Sequence, residues 1–166
     1  MTIKIGEPIP AIKLKCYHNG AMSDVDTGEL FKGKTSVLFA IPGCYTPMCS
    51  LQHLPSYLRN ISKLRAKGVD QVVCVAVNDP FVMAQWMKDY KADGQIIALP
   101  DGNALFTKSL GLEMDGSGYG LGIRTQRFAM IVRDGKVALL NIEKPGEFDV
   151  SSGDAVLQAL TATTAA

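Results

Sequence analysis

Two kinds of apolar run alternate along the chain. Ser36-Val-Leu-Phe-Ala-Ile41 and Gln71-Val-Val-Cys-Val-Ala-Val77 are short, unbroken and β-favouring, the pattern of strands covered on both faces. Between them, the apolar positions from Ser50 to Lys67 recur with the helical period, and Lys67-Gly68 supplies a stop, so a helix is expected over about 49–67. Asn78-Asp79-Pro80 offers an N-cap and a first-turn proline for a second helix, running to about Lys91. Ile96–Leu99 reads as a short strand ended by Pro100-Asp-Gly102, and Asn103–Leu110 as a short helix stopped by Gly111. Gln126–Val132 and Lys136–Ile142, joined by Arg133-Asp134-Gly135, make a hairpin with Asp-Gly at its turn. Ser151-Ser152-Gly-Asp154 opens a last helix to about Leu160.

The remaining segments read as connections. Pro8 and Pro10 keep the entry segment Ile5–Leu14 off a central strand, and residues 16–34 are polar with Gly-rich turns. Residues 111–123 read as a glycine-rich loop, and because its alternating glycines precede a strand they do not make a dinucleotide-binding fingerprint. Residues 161–166 read as a loose tail. The order β-α-β-α-β-α-β-β-α sets a parallel, right-handed βαβ half beside an antiparallel hairpin. The expected fold class is α/β: a thioredoxin-like layout with a mixed central sheet flanked by helices on both faces, as one domain over 1–166.

Composition narrows the function classes. Hydrophobic residues make up 47% of the 166 and charged residues 20%, an ordinary globular balance. A formal net charge of +1 gives no electrostatic case for nucleic acid or an anionic membrane surface. The apolar runs fall far short of the ~20 residues that span a bilayer. Met1-Thr-Ile-Lys-Ile-Gly-Glu-Pro8 has no basic region followed by an apolar core, which favours a cytoplasmic location. The four cysteines, Cys16, Cys44, Cys49 and Cys74, are then expected as free thiols in a reducing compartment. With no Cys-x-x-Cys and only His18 and His53 as histidines, neither a zinc site nor a dithiol reductase motif is expected.

The chemistry gathers at Pro42-Gly-Cys-Tyr-Thr46-Pro-Met-Cys49, a loop between the first core strand and its helix. Cys49 falls in the first helical turn, where free N–H groups and the helix dipole stabilise a thiolate, the reactive form of the group. Thr46, three residues earlier, can place a hydroxyl near the sulfur or near an oxygen approaching it. Pro42 shapes the loop and shields it from water. Arg127, entering an otherwise apolar strand, needs a partner, and a thiolate with a developing oxyanion would be one. Arg124 is a rival charge, and His53 reads as a helix-face hydrogen-bonding residue.

Pro42-x-x-x-Thr46-x-x-Cys49 resembles the Pro-x-x-x-Thr-x-x-Cys motif of peroxiredoxins. Its surroundings resemble the five-type, or type II, branch: Pro42-Gly43, Ser50-x-x-His53-Leu-Pro55, Val77-Asn-Asp-Pro-Phe-Val82 with Trp86, Leu99-Pro-Asp-Gly102 and Gly120-x-Gly-x-Arg124-x-x-Arg127-Phe-Ala129. The likeness runs through nearly the whole chain in order. It implies reduction of hydrogen peroxide and alkyl hydroperoxides through a Cys49 sulfenic acid, with Thr46, Arg127 and Pro42 completing the site and no metal or organic cofactor. It also implies regeneration by an external thiol, glutathione with glutaredoxin or else thioredoxin, and a homodimer formed near the active site, with Phe81, Tyr45 and Tyr119 as possible contacts. Cys44 stands where branch members more often carry Ala, and Cys74 where several plant members carry Cys. Either is a possible resolving or regulatory thiol, against the plainer reading of an inert loop or core residue. An alternative role for the same Cys49 chemistry is a peroxide sensor that relays oxidation to partner proteins.

Overall fold

The computed structural model describes residues 1–164. A hairpin of β1 (Lys13–His18) and β2 (Ala21–Asp26) leads through the one-turn helix α1 (Thr27–Leu30) to β3 (Thr35–Ile41). Then follow α2 (Leu54–Ala66), β4 (Gln71–Ala76), α3 (Pro80–Asp89), β5 (Ile97–Pro100) and α4 (Leu105–Leu110). The short strands β6 (Glu113–Asp115) and β7 (Ile123–Thr125) precede the hairpin β8 (Phe128–Arg133) and β9 (Lys136–Ile142), and α5 (Gly153–Thr164) closes the chain. The central sheet has the order β5-β4-β3-β8-β9, parallel across β3, β4 and β5 and antiparallel across β3, β8 and β9. The expected α/β class and mixed sheet are therefore present.

The two-residue period of the strands divides the core between the faces of this sheet. Val37, Phe39 and Ile41 of β3 join Val72, Cys74 and Ala76 of β4 and Ala129 and Ile131 of β8 on one face, under Tyr57, Leu64, Trp86, Val156 and Leu160 from α2, α3 and α5. Leu38, Ala40, Val73, Val75, Phe128 and Met130 point the other way, against Phe106 and Leu110 of α4 and Phe31. Helices thus cover both faces, and β3, buried along six of its seven residues, ends at the cysteine loop. No helix among the described residues is long and apolar enough to cross a membrane.

Four local expectations need correction. Residues 16–34 are not simply turns, because β1 and β2 pair in register from Lys13↔Asp26 to His18↔Ala21 about an Asn19-Gly20 turn with φ of 50° and 78°. Their strands were hidden by polarity: they are largely exposed, and carry the Lys15–Asp24 ion pair. Within 111–123, β6 pairs with β7, so only the middle of that stretch is loop. The helix expected over 49–67 is interrupted, with a π-helical turn at Cys49–His53 before α2. Pro55 accounts for the widening, since its ring clashes with the carbonyl four residues back and it has no N–H to offer. Finally, Thr161 to Thr164 continue α5 instead of forming a tail, while 165–166 lie outside the described residues.

Candidate active site

The helix that carries Cys49 begins at Pro47, with Thr46 at the position before it. Thr46 O accepts the Ser50 N–H at 3.0 Å, starting the helical ladder. The Thr46 hydroxyl donates to Gly43 O at 2.7 Å, so it ties the loop to itself and keeps its lone pairs free to accept. Cys49 is the third residue of the helix, where the N–H groups have no carbonyl of their own turn to bond. Its sulfur is fully buried.

The loop is braced from the far side. Arg124 donates from Nε to Leu121 O at 2.9 Å and from Nη1 to the carbonyl of half-buried Pro42 at 3.3 Å. A methyl group on Gly43 would stand 2.7 Å from Arg124 Nη1 and 3.2 Å from Thr46 Cγ2, so a side chain there would displace the brace. Asn78 Oδ1, just past β4, accepts the Cys44 N–H at 3.0 Å. Arg124, the rival charge of the sequence, therefore supports the loop backbone.

Arg127 sits between β7 and β8 and reaches the sulfur, donating from Nη2 to Cys49 Sγ at 3.1 Å. Its Nη1 lies 2.8 Å from His53 Nδ1, and His53 Nε2 lies 3.0 Å from Ser151 O. A guanidinium only donates and a carbonyl only accepts, so the neutral ring must carry its proton on Nε2 and present a lone pair on Nδ1. Burial, then the Arg127 charge, lowers the His53 pKa to about 3, opposed in part by the Ser151 carbonyl. Phe39, Tyr57 and Phe148 surround the ring, with centroids 5.0 to 5.7 Å away. Among the described residues no carboxylate lies within 4 Å of Arg127, which leaves its charge to the sulfur.

Of the residues expected in the site, Cys49 and Arg127 are in contact, while Thr46 and Pro42 frame the loop around them. The other two thiols are close by but quenched. Cys44 is pushed up to about 12 by burial first and by neighbouring Cys49 second, with Arg124 pulling the other way. Cys74, fully buried in the middle of β4, is raised well above the ordinary thiol value, chiefly by burial. All four cysteines are unpaired. Among the described residues no three His, Cys, Asp or Glu side chains gather as metal donors would. His53 is more central than the helix-face residue its sequence position suggested, and Ser151, read only as part of the opening of the last helix, gave no signal for this role because a backbone carbonyl plays it.

Residues 4–157 match the Redoxin family. The chain is 40% identical over 159 residues to peroxiredoxin-2B of Arabidopsis thaliana, covering 95% of this chain and 98% of that protein. It is 42% identical over 164 residues to the chloroplastic peroxiredoxin-2E-2 of Oryza sativa subsp. japonica, covering 96% and 73%. Among solved structures, reduced Prx3 of Vibrio vulnificus in complex with hydrogen peroxide superposes with a TM-score of 0.91 at 46% identity, over 96% of this chain and 99% of that one.

Proposed function

The chain belongs to the peroxiredoxin family of thiol-dependent peroxidases, and on that footing we propose that Cys49 is the peroxidatic nucleophile. The observation that carries this reading is the 3.1 Å contact of Arg127 Nη2 with a buried Cys49 Sγ in the first turn of a helix. The thiolate attacks the terminal oxygen of hydrogen peroxide or an alkyl hydroperoxide. A sulfur–oxygen bond forms as the O–O bond breaks, and water or an alcohol leaves after taking up a proton. Sulfur gives up two electrons and becomes a sulfenic acid. Arg127 steadies the thiolate and then the charge spreading over both oxygens, and the free first-turn N–H groups add to it. The Thr46 hydroxyl, its proton already given to Gly43 O, accepts a hydrogen bond from the peroxide. Pro42 limits water access. The Vibrio relative, solved in its reduced form in complex with hydrogen peroxide, supports the small peroxide as a substrate.

The sulfenic acid condenses with an external thiol, releasing water, and a second thiol then reduces the mixed disulfide. Glutathione with glutaredoxin, or thioredoxin, fills this role. Burial keeps Cys44 and Cys74 protonated, which argues against either as the resolving nucleophile in this conformation. The described residues are read as one domain, since both core layers share one sheet. A homodimer fits the exposed Tyr45, Phe81 and Tyr119. Four unbridged thiols fit a reducing compartment such as the cytoplasm.

Intact-protein mass measurement after one equivalent of hydrogen peroxide tests the cycle. One added oxygen that converts to a glutathione adduct is expected, and none in Cys49→Ser. An unchanged mass in the native chain would refute the assignment of Cys49.

A further inference from the structure

The contacts from Cys49 through Arg127 to His53 continue outward to a carboxylate. Ser151 O accepts from His53 Nε2 at 3.0 Å and from the Tyr57 hydroxyl at 2.7 Å. Ser151 is itself held, donating from N and Oγ to Glu143 Oε2 at 2.9 and 2.6 Å. The Asp149 N–H reaches the same oxygen at 2.6 Å. Glu143 follows β9 directly, and its own N–H donates to Arg127 O at 2.9 Å, so one residue grips both the Arg127 backbone and the loop behind His53. Three donors on one oxygen call for a carboxylate, because an amide oxygen offers less charge to the same crowd. Burial works against the ionised Glu143, but the Ser151 hydroxyl and the Asp149, Ser151 and Val150 N–H groups outweigh it and hold its carboxyl below the usual range.

Resting on the reading of Arg127 as the group that steers Cys49, we propose that Glu143 is a positioning residue for the peroxidase reaction. It clamps the Ser151 carbonyl, which fixes His53 as the Nε2–H tautomer. The Nδ1 lone pair so presented holds Arg127 Nη1 while Nη2 faces the sulfur. Were the ring to carry its proton on Nδ1 instead, that N–H would meet an arginine N–H, donor against donor, and the guanidinium would lose its anchor. Glu143 touches neither peroxide nor sulfur and acts only through this chain of three contacts.

The test uses the full chain with ¹⁵N-labelled histidine, reading the His53 tautomer by NMR and the oxidation rate of Cys49 by stopped flow. The native protein is expected to show only the Nε2–H form. Glu143→Gln, isosteric and checked for folding by thermal unfolding, is expected to show mixed tautomers and oxidation slowed about tenfold, as small misplacements of a catalytic group do. Ser151→Ala, which removes one of the three donors, should shift both readouts in the same direction by less. In a His53→Leu background, Glu143→Gln should cost nothing more. An unshifted tautomer in Glu143→Gln, an unshifted rate, or an additive loss in the double variant would each overturn the proposal. If Arg127→Ala oxidised at the native rate, the underlying reading of Arg127 would fail first and the positioning role with it.

Discussion

A guanidinium held 3.1 Å from a buried sulfur and 2.8 Å from a neutral imidazole is fixed by two acceptors at once. Arg127→Ala should slow Cys49 oxidation by about 100-fold or more, the usual cost of losing a preorganised donor to developing oxygen charge. Arg127→Lys should recover little of it, because an ammonium keeps the charge but cannot span His53 and Cys49 as the planar fork does. Stopped-flow oxidation of the two variants checks both, and a fully active lysine variant would show that charge alone suffices. His53 makes a second prediction, on stability. Its folded pKa of about 3 lies below the unfolded value near 6.5, so between those pH values the unfolded chain binds a proton that the folded chain refuses. Stability therefore falls as pH drops through that window, by up to about 1.4 kcal/mol per pH unit from this one group. Gln can accept from Arg127 and donate to Ser151, so His53→Gln should flatten the pH dependence of unfolding between 6.5 and 4. Denaturant midpoints across that range, native against variant, measure the difference.

At the scale of elements, the site depends on α2 and α5 lying tightly together. Gly153 opens α5, donates to Ser56 Oγ at 2.9 Å and lies so close that a Cβ would press into the Ser56 carbonyl, 2.7 Å from its carbon. Gly153→Ala should cost about 1–3 kcal/mol by overpacking and lower the melting temperature by several degrees. It should also slow Cys49 oxidation, because Ser151 moves with the start of α5 while His53 moves with α2. A variant that melts lower but oxidises normally would show that the two helices position nothing. Much of this layer was legible in the sequence: continuous apolar runs named β3 and β4, the Asp-Gly turn named β8 and β9, and Asn78-Asp79-Pro80 named the start of α3. The misses have physical causes. β1 and β2 bury only Leu14 in the core, with Val25 packed against it, and carry charges where a central strand carries valines, so their signal was confined to Asn19-Gly20. The π turn follows from Pro55, which was read within the resemblance motif and not as a break in the ladder. Cys49, Thr46 and Pro42 were candidates from the cysteine loop and Arg127 from a charge at the head of an apolar strand, and the structure brings Arg127 into contact with Cys49. The path from His53 through Ser151 to Glu143 could not be read in this way, since its links are a tautomer, a carbonyl and a carboxylate 90 residues further along the chain.

At the scale of the whole molecule, the Cys49 sulfur is buried while large apolar side chains on its own turn and on the loops after β3 and β4 are exposed. Leu51, on the Cys49 turn, is 70% exposed, Phe81 56% and Tyr45 47%. Tyr45 and Phe81 follow β3 and β4 at their carboxyl ends, and Asn78 joins those two loops through the Cys44 N–H. Apolar surface left open at the rim of a site is a place for a second surface to close. If that surface is a second copy, Phe81→Glu should turn the dimer into a monomer by sedimentation at micromolar concentration, since a buried carboxylate at the seam has no partner. Phe81 contacts Tyr17 and not Cys49, so the monomeric variant should still be oxidised by peroxide. A change in the sulfenic acid's reaction with glutathione would then report the seam itself, because closing or opening the rim changes access to a sulfur that the isolated fold covers completely. A variant that sediments as the native protein does would move the contact to Tyr119, which is 89% exposed on the loop between β6 and β7.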